Sequence, residues 1–202
     1  MSEGGGVKQI IPILFLTIVV CISVVLLVLT DSITRDLIEE NERKEIKKAL
    51  EEIFPKMEDY EHDKKMDIYI IKGKNDTDMG LAFKAIGKGY GDKINIMVGL
   101  NSTPAEIKVM SWKEINSTVE IIKIKILEPI SETPGLGAKI LEDGFQREFQ
   151  GSMLKDVKLN GEGETDGIDG ITGATISSKA VVNGIKTTAF EKIKLIKKGG
   201  EV

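Results

Sequence analysis

Between Ile10 and Leu29 the chain runs twenty residues without a charged side chain. As a helix that stretch is about 30 Å long, the thickness of the hydrocarbon core of a bilayer. A cleaved secretory leader has a shorter apolar region, about 7–15 residues, and a small-residue cleavage site, which this stretch lacks. A lipidated anchor does not fit either, because Ile18, Val19 and Val20 before Cys21 are bulky. The sequence therefore predicts a retained, single-pass membrane helix that leaves about one ordinary domain's worth of chain outside the lipid.

Composition narrows what that domain can do. The chain has 28 Lys and Arg against 32 Asp and Glu, a net charge of -4, so nucleic acid is excluded as a partner for want of a basic face. Its one cysteine, Cys21, lies inside the apolar run, which rules out a disulfide and a cysteine-ligated cluster in the soluble part. His62 is the one histidine, so two-histidine metal motifs are absent; in its charged surroundings it reads as a surface residue, and no metal site is expected. Charge leaves sidedness open. Lys8 precedes the span, whereas Arg35, Arg43, Lys44, Lys47 and Lys48 follow it among Asp36, Glu39, Glu40, Glu42 and Glu45.

The pattern beyond the span predicts an α+β domain. Ser32 to Phe54 is rich in helix formers, with Ile33, Leu37, Ile46, Leu50, Ile53 and Phe54 as an apolar stripe and Pro55 as its stop; it reads as a helical stalk continuing the membrane helix. Lys56 to Lys65 reads as a linker. Strands are expected at Asp67–Ile71, Gly80–Ile86, Ile94–Leu100 and Thr118–Leu127. In the last, Ile122, Ile124 and Ile126 alternate with Lys123 and Lys125, which puts isoleucine on one face and lysine on the other. Helices near Asp143–Gln150 and over Thr175–Ile196 would cover the sheet. The expected organisation is a tail over 1–9, the membrane helix over 10–29, stalk and linker over 30–65, and a mainly antiparallel sheet packed by helices over 66–202.

Three glycine-rich stretches could carry chemistry. Asp169-Gly170-Ile171-Thr172-Gly173-Ala174-Thr175 opens the last helix; its glycines and alanine would present a hydroxyl to another molecule, although a threonine there also suits a simple helix cap. Glu132-Thr133-Pro134-Gly135-Leu136-Gly137 follows the clearest strand; Pro-Gly favours a type II turn, and the glycines let backbone approach a flat ligand, although an ordinary loop has the same composition. Gly89-Tyr90-Gly91 precedes a strand and does not make a dinucleotide fingerprint; a hairpin turn accounts for it equally well.

In their order along the chain, Gly89–Gly91, Glu132–Gly137 and Asp169–Thr175, the three stretches resemble the signatures of the FMN-binding domain of Rnf and sodium-translocating NADH:quinone reductase complexes. The third departs from the family pattern, with Asp92 where a further glycine is usual. A short chain with one N-terminal span is more similar to the G subunits of Rnf complexes than to the longer C subunits of the quinone reductase. The resemblance implies that a flavin transferase moves FMN from FAD onto the Thr175 hydroxyl as a phosphoester, releasing AMP. Asp169, Gly170, Gly173 and Ala174 would serve recognition by that enzyme. Glu132, Thr133, Leu136 and Gly137, with Tyr90, Thr172, Gly173 and Ala174, would surround the covalent FMN. Thr175 is then an acceptor, and no catalytic residue is expected.

The implied role is an electron-carrying subunit without stand-alone activity. It would be anchored in the cell membrane with its domain on the extracytoplasmic side, and its partners would be the other membrane subunits, the transferase and the lipid bilayer. A quinone-reductase-type subunit, a reversible flavin-binding sensor and a non-redox scaffold are the alternatives. The acidic loop Glu162, Glu164, Asp166 and Asp169 lacks calcium-loop spacing and reads as solvated. Asn75, Asn101 and Asn116 each begin a glycosylation-type triplet.

Overall fold

The computed structural model describes residues 5–160 and 167–199. The chain forms two units, Met1–Glu45 and Ile46–Val202. In the first, helix α1 (Gly5–Ile53) begins and runs unbroken through the apolar stretch into the charged one. It is long and apolar enough to cross a membrane, and the side chains of its apolar window are exposed. The hydroxyls of Thr17, Ser23 and Thr30 each donate to the carbonyl four residues back, at 2.8–2.9 Å. No donor among these three would be left unpaired in lipid, where an unpaired polar group costs several kcal/mol, ~2–7 by transfer estimates.

The second unit holds one antiparallel sheet in the order β1 (Asp59–Asp63), β2 (Ile68–Lys72), β3 (Asp78–Lys88), β4 (Lys93–Leu100) and β5 (Ile121–Ile126). Its alternation separates two cores. Ile68, Leu81, Phe83, Ile96, Val98 and Ile124 face helix α5 (Thr175–Lys197), whose Val181, Ile185, Ala189 and Ile193 are buried against them. Tyr69, Ile71, Ala82 and Met97 face the other way, where Ile46, Ala49, Leu50 and Ile53 from the end of α1 cover them with Phe54. That i, i+3, i+4, i+7 spacing is the stripe a helix needs to bury one face. The end of the stretch expected as a stalk is therefore a covering layer of the folded unit, and the expected linker carries the edge strand β1.

The lysine face of β5 is not a solvent face. Glu52 on α1 bridges Lys123 Nζ at 2.7 Å and Lys125 Nζ at 2.8 Å. Partial burial raises the Glu52 pKa, and the hydrogen bonds and charges of the two lysines outweigh it, so the carboxyl sits below its usual range. The simple isoleucine alternation also fails at one residue. The register shifts between Gly99 and Leu100, so that Ile121 and Ile124 are both buried on the α5 face while Ile122 packs at the edge of the α1 core. A bulge places two residues opposite one and turns the extra side chain over.

Two short helices lie between β4 and β5. Both α2 (Pro104–Val109) and α3 (Trp112–Thr118) start with a reciprocal capping box, Thr103 with Glu106 and Ser111 with Glu114. Thr118, expected at the start of a strand, ends α3 instead. Helix α4 (Asp143–Arg147) follows β5. The outer edge of β5 is closed by Gln146, whose amide accepts from Ile126 N–H at 3.1 Å and donates to the Leu141 carbonyl at 2.7 Å.

Candidate functional site

The three glycine-rich stretches are brought together at one end of the sheet. Tyr90, Glu132, Thr133, Leu136, Gly137, Gly173, Ala174 and Thr175 line a single pocket of about 400 Å³, together with Ile176 and Ser177. That volume is within the range of pockets that take cofactor-sized ligands, roughly 300–1,000 Å³.

Two walls are turns of one kind. Thr133 to Leu136 closes with Leu136 N–H donating to the Thr133 carbonyl at 3.2 Å and Gly135 at φ +76°. Ile171 to Ala174 closes with Ala174 N–H donating to the Ile171 carbonyl at 2.9 Å and Gly173 at φ +81°. A glycine in the left-handed region at the third position is what a type II turn requires, as the Pro-Gly pair led one to expect for the first. A Cβ on Gly173 would also stand 3.2 Å from Leu136 Cδ2, so the two turns face each other closely. The second turn is held by buried Ser178, whose Oγ accepts from Ile171 N–H at 3.0 Å and donates to the Ala174 carbonyl at 3.1 Å.

Helix α5 starts at Thr175, and its N-cap, Ala174, has no side chain able to cap it. The helix-cap reading of the two threonines therefore does not hold. Thr175 is exposed at the first helical position, and its hydroxyl makes no hydrogen bond among the described residues. Thr172 is exposed at the corner of its turn and is not among the lining residues.

The third wall is the β3–β4 hairpin, Gly89 to Asp92, closed by Gly89 N–H donating to the Asp92 carbonyl at 3.0 Å. Close backbone approach occurs at Gly91, where a Cβ would lie 1.7 Å from the Ser131 carbonyl oxygen. Asp92, where the family usually has glycine, uses its carboxylate to accept from Lys93 N–H at 2.7 Å. Tyr90 is 72% exposed, a large free ring at the pocket rim.

Glu132 ties the walls together. It is buried at 6% exposure; Oε1 accepts from Tyr90 N–H at 2.8 Å and from Gly91 N–H at 3.3 Å, and Oε2 accepts from Ser177 Oγ. Gly89 and Gly137 leave the room it needs, since a Cβ on either would come within 2.5 Å of a Glu132 oxygen. Both oxygens are thus engaged by the protein itself. Ile176 and Ser177 are the members of the site that sequence reasoning missed. Two adjacent serines follow Ile176, and helical spacing alone does not say that Ser177 meets a carboxylate 45 residues earlier.

Over residues 89–189 the chain matches the FMN-binding domain family. It belongs to that family. Among relatives, the G subunit of the ion-translocating oxidoreductase complex of Methanosarcina acetivorans is 29% identical over 92% of this chain and 94% of its own. The G subunit of the Na(+)-translocating ferredoxin:NAD(+) oxidoreductase complex of Acetobacterium woodii is 30% identical over 85% and 86%. Among solved structures, NqrC of Shewanella oneidensis aligns over 73% of this chain and 72% of that one, with a TM-score of 0.48 and 15% identity.

The residues present fit the family's cofactor. The pocket has an apolar side in Leu136 and Ile176, an aromatic ring at its rim, and a hydroxyl without a hydrogen bond among the described residues at the start of a helix whose N-cap, Ala174, makes no side-chain cap. The first amides of that helix and its dipole favour an anion such as a phosphate.

Asp169 and Gly170 lie outside the lining. Asp169 is exposed; its N–H donates to Glu148 Oε2 at 2.6 Å, and its carboxylate accepts from Asn160 Nδ2. A Cβ on Gly170 would meet nothing closer than 3.7 Å, so the fold does not require glycine there. Glu162, Glu164 and Asp166 fall outside the described residues. His62 is on β1, stacked on Tyr69 at 4.4 Å with Nε2 3.3 Å from Asp67 Oδ1, and is not part of the pocket.

Proposed function

We propose that this chain is the membrane-anchored, electron-carrying subunit of an Rnf-type ion-translocating complex, with FMN held by a phosphoester to Thr175. The observation that carries the reading is the Thr175 hydroxyl, exposed, without a hydrogen bond among the described residues, and on the wall of a pocket formed by all three glycine-rich stretches. Family membership supports it, as do relatives named as the G subunits of ion-translocating complexes.

Bound FMN supplies the exchange of one or two electrons. The chain's own residues supply the rest. The first amides of α5 would stabilise a phosphate on Thr175. Leu136, Ile176 and the Tyr90 ring would offer apolar surface to the ring system, and Thr133 and the backbone at Gly137, Gly173 and Ala174 would border it. Glu132 lines the pocket and keeps its three walls in register, its oxygens accepting from Tyr90 N–H, Gly91 N–H and Ser177 Oγ. Asp169 and Gly170 serve the transferase that loads the cofactor. The span 10–29 holds the domain at the bilayer, on the extracytoplasmic side, among the complex's other membrane subunits.

Mass spectrometry of the chain produced with the flavin transferase tests the reading. An FMN-sized addition is expected on Thr175, retained after denaturation, lost in Thr175→Ala and kept in Thr175→Ser. A native complex that turns over normally with Thr175 unmodified would defeat it.

A further inference from the structure

Glu132 braces the pocket, but bracing alone does not require its charge. Oε1 accepts from the Tyr90 and Gly91 amides and Oε2 from Ser177 Oγ. A glutamine has the same length, can accept from both amides through its carbonyl and can donate to the serine hydroxyl. Burying a carboxylate is the more expensive choice, because an ionised group loses more hydration than an amide. Glu132 is buried all the same, and it lines the pocket.

No cation neutralises it at close range. Glu132 forms no ion pair among the described residues, and the pocket lining includes no lysine, arginine or histidine. Lys88 and Lys179 line a separate groove between β3 and α5 and are not among the lining residues here. The first amides of α5 carry the other fixed charge at the pocket, and a phosphate on Thr175 would engage them. A ring system held in the pocket would therefore have one unpaired carboxylate in its wall, placed where water screens charge less than at the surface.

We propose that Glu132 sets the reduction potential of the flavin, its negative charge holding that potential low. The inference rests on the flavin-carrying reading above. Each electron the flavin accepts is lost by a donor carrier, and it adds negative charge to the ring system unless a proton follows it. A fixed negative charge in the pocket wall opposes that gain, so the flavin gives electrons up more readily than it would beside a neutral wall. The brace holds the charge in place, because the β3–β4 hairpin pins one oxygen and α5 pins the other.

The test is a spectroelectrochemical titration of the full chain in detergent, loaded by the flavin transferase, with dithionite as the electron source. Glu132→Gln removes the charge and keeps the shape, whereas Glu132→Asp keeps the charge and shortens the brace. Glu52→Gln removes a carboxylate that lies outside the pocket and controls for net charge. In Glu132→Gln, one-electron reduction should become about tenfold or more favourable, a rise of about 59 mV per tenfold, and the rise should persist at high salt. Glu132→Asp and Glu52→Gln should stay within about twofold of wild type on the same scale. Thr133→Lys adds a cation to the lining at an exposed position, leaves the brace intact and should also raise the potential. An unmoved or lowered potential in both Glu132→Gln and Thr133→Lys would overturn the proposal. So would a shift in Glu132→Asp equal to that in Glu132→Gln, which is what a purely structural brace predicts. Flavin released from the denatured chain would sink the phosphoester reading instead, and titration of the reversibly bound FMN would still decide the role of Glu132. A chain that takes up no flavin would overturn both.

Discussion

Replacing Glu132 with alanine removes one acceptor from three donors at once: the Tyr90 and Gly91 amides and the Ser177 hydroxyl. Ser177 is buried at 2% exposure, and orphaning its hydroxyl costs about 1–3 kcal/mol. The two amides lose hydrogen bonds to a charged group, nominally about 1.5–3 kcal/mol each, but they lie in a hairpin loop that water can reach, so much of that is recovered. A net loss of about 3–5 kcal/mol follows, a large share of the 5–15 kcal/mol typical of a folded domain. For a unit of this size it lowers the melting temperature by roughly 10–15 °C. Glu132→Gln keeps an acceptor for the amides and can donate to Ser177 Oγ, so its cost is about 1 kcal/mol. Thermal unfolding of the full chain in detergent, followed by circular dichroism, measures both. If Ala and Gln are equally costly, or if Ala costs less than about 1 kcal/mol, Glu132 does not brace the three walls.

Gly91→Ala, with a Cβ 1.7 Å from the Ser131 carbonyl, should cost about 2–3 kcal/mol or more in denaturant unfolding, whereas Gly170→Ala should leave stability within ~0.5 kcal/mol yet reduce FMN loading by the transferase. Equal stability losses in the two would refute the steric assignment. Glu52, whose pKa lies below its unfolded value, contributes stability that is present above the ordinary carboxylate range and is lost as pH falls through its folded value. Glu52→Gln should therefore be less stable than wild type at pH 7, with the gap closing on acidification in chemical denaturation series. A gap that widened in acid would contradict the bridge to Lys123 and Lys125.

Much of the architecture was legible because it rests on local period. The strands Ile68–Lys72, Asp78–Lys88 and Lys93–Leu100, and the final helix, fall within a few residues of where alternation and helical spacing put them. The capping boxes that start α2 and α3 are equally local, each a Ser or Thr followed by Glu three residues later. The edge strand β1 left a weaker signal. Asp59–Asp63 is mostly exposed and charged, so it shows no hydrophobic alternation, and its pairing with β2 is a backbone matter. Ile122 was misplaced because a bulge is set by the partner strand's register, which no single segment records.

At the site, neighbours along the chain were enough to show which residue types were on hand: hydroxyls and glycines at Thr172 to Thr175, a Pro-Gly turn after β5, and an uncharged span long enough for a bilayer. Folding in three dimensions was needed to turn Glu132 inward, bring Ser177 to it, press Gly91 against Ser131, and lay the end of α1 over the second face of the sheet. Each of those facts joins residues tens of positions apart. Contacts at that separation follow from how layers pack and exclude water, information that is spread over the whole chain and written in no local pattern.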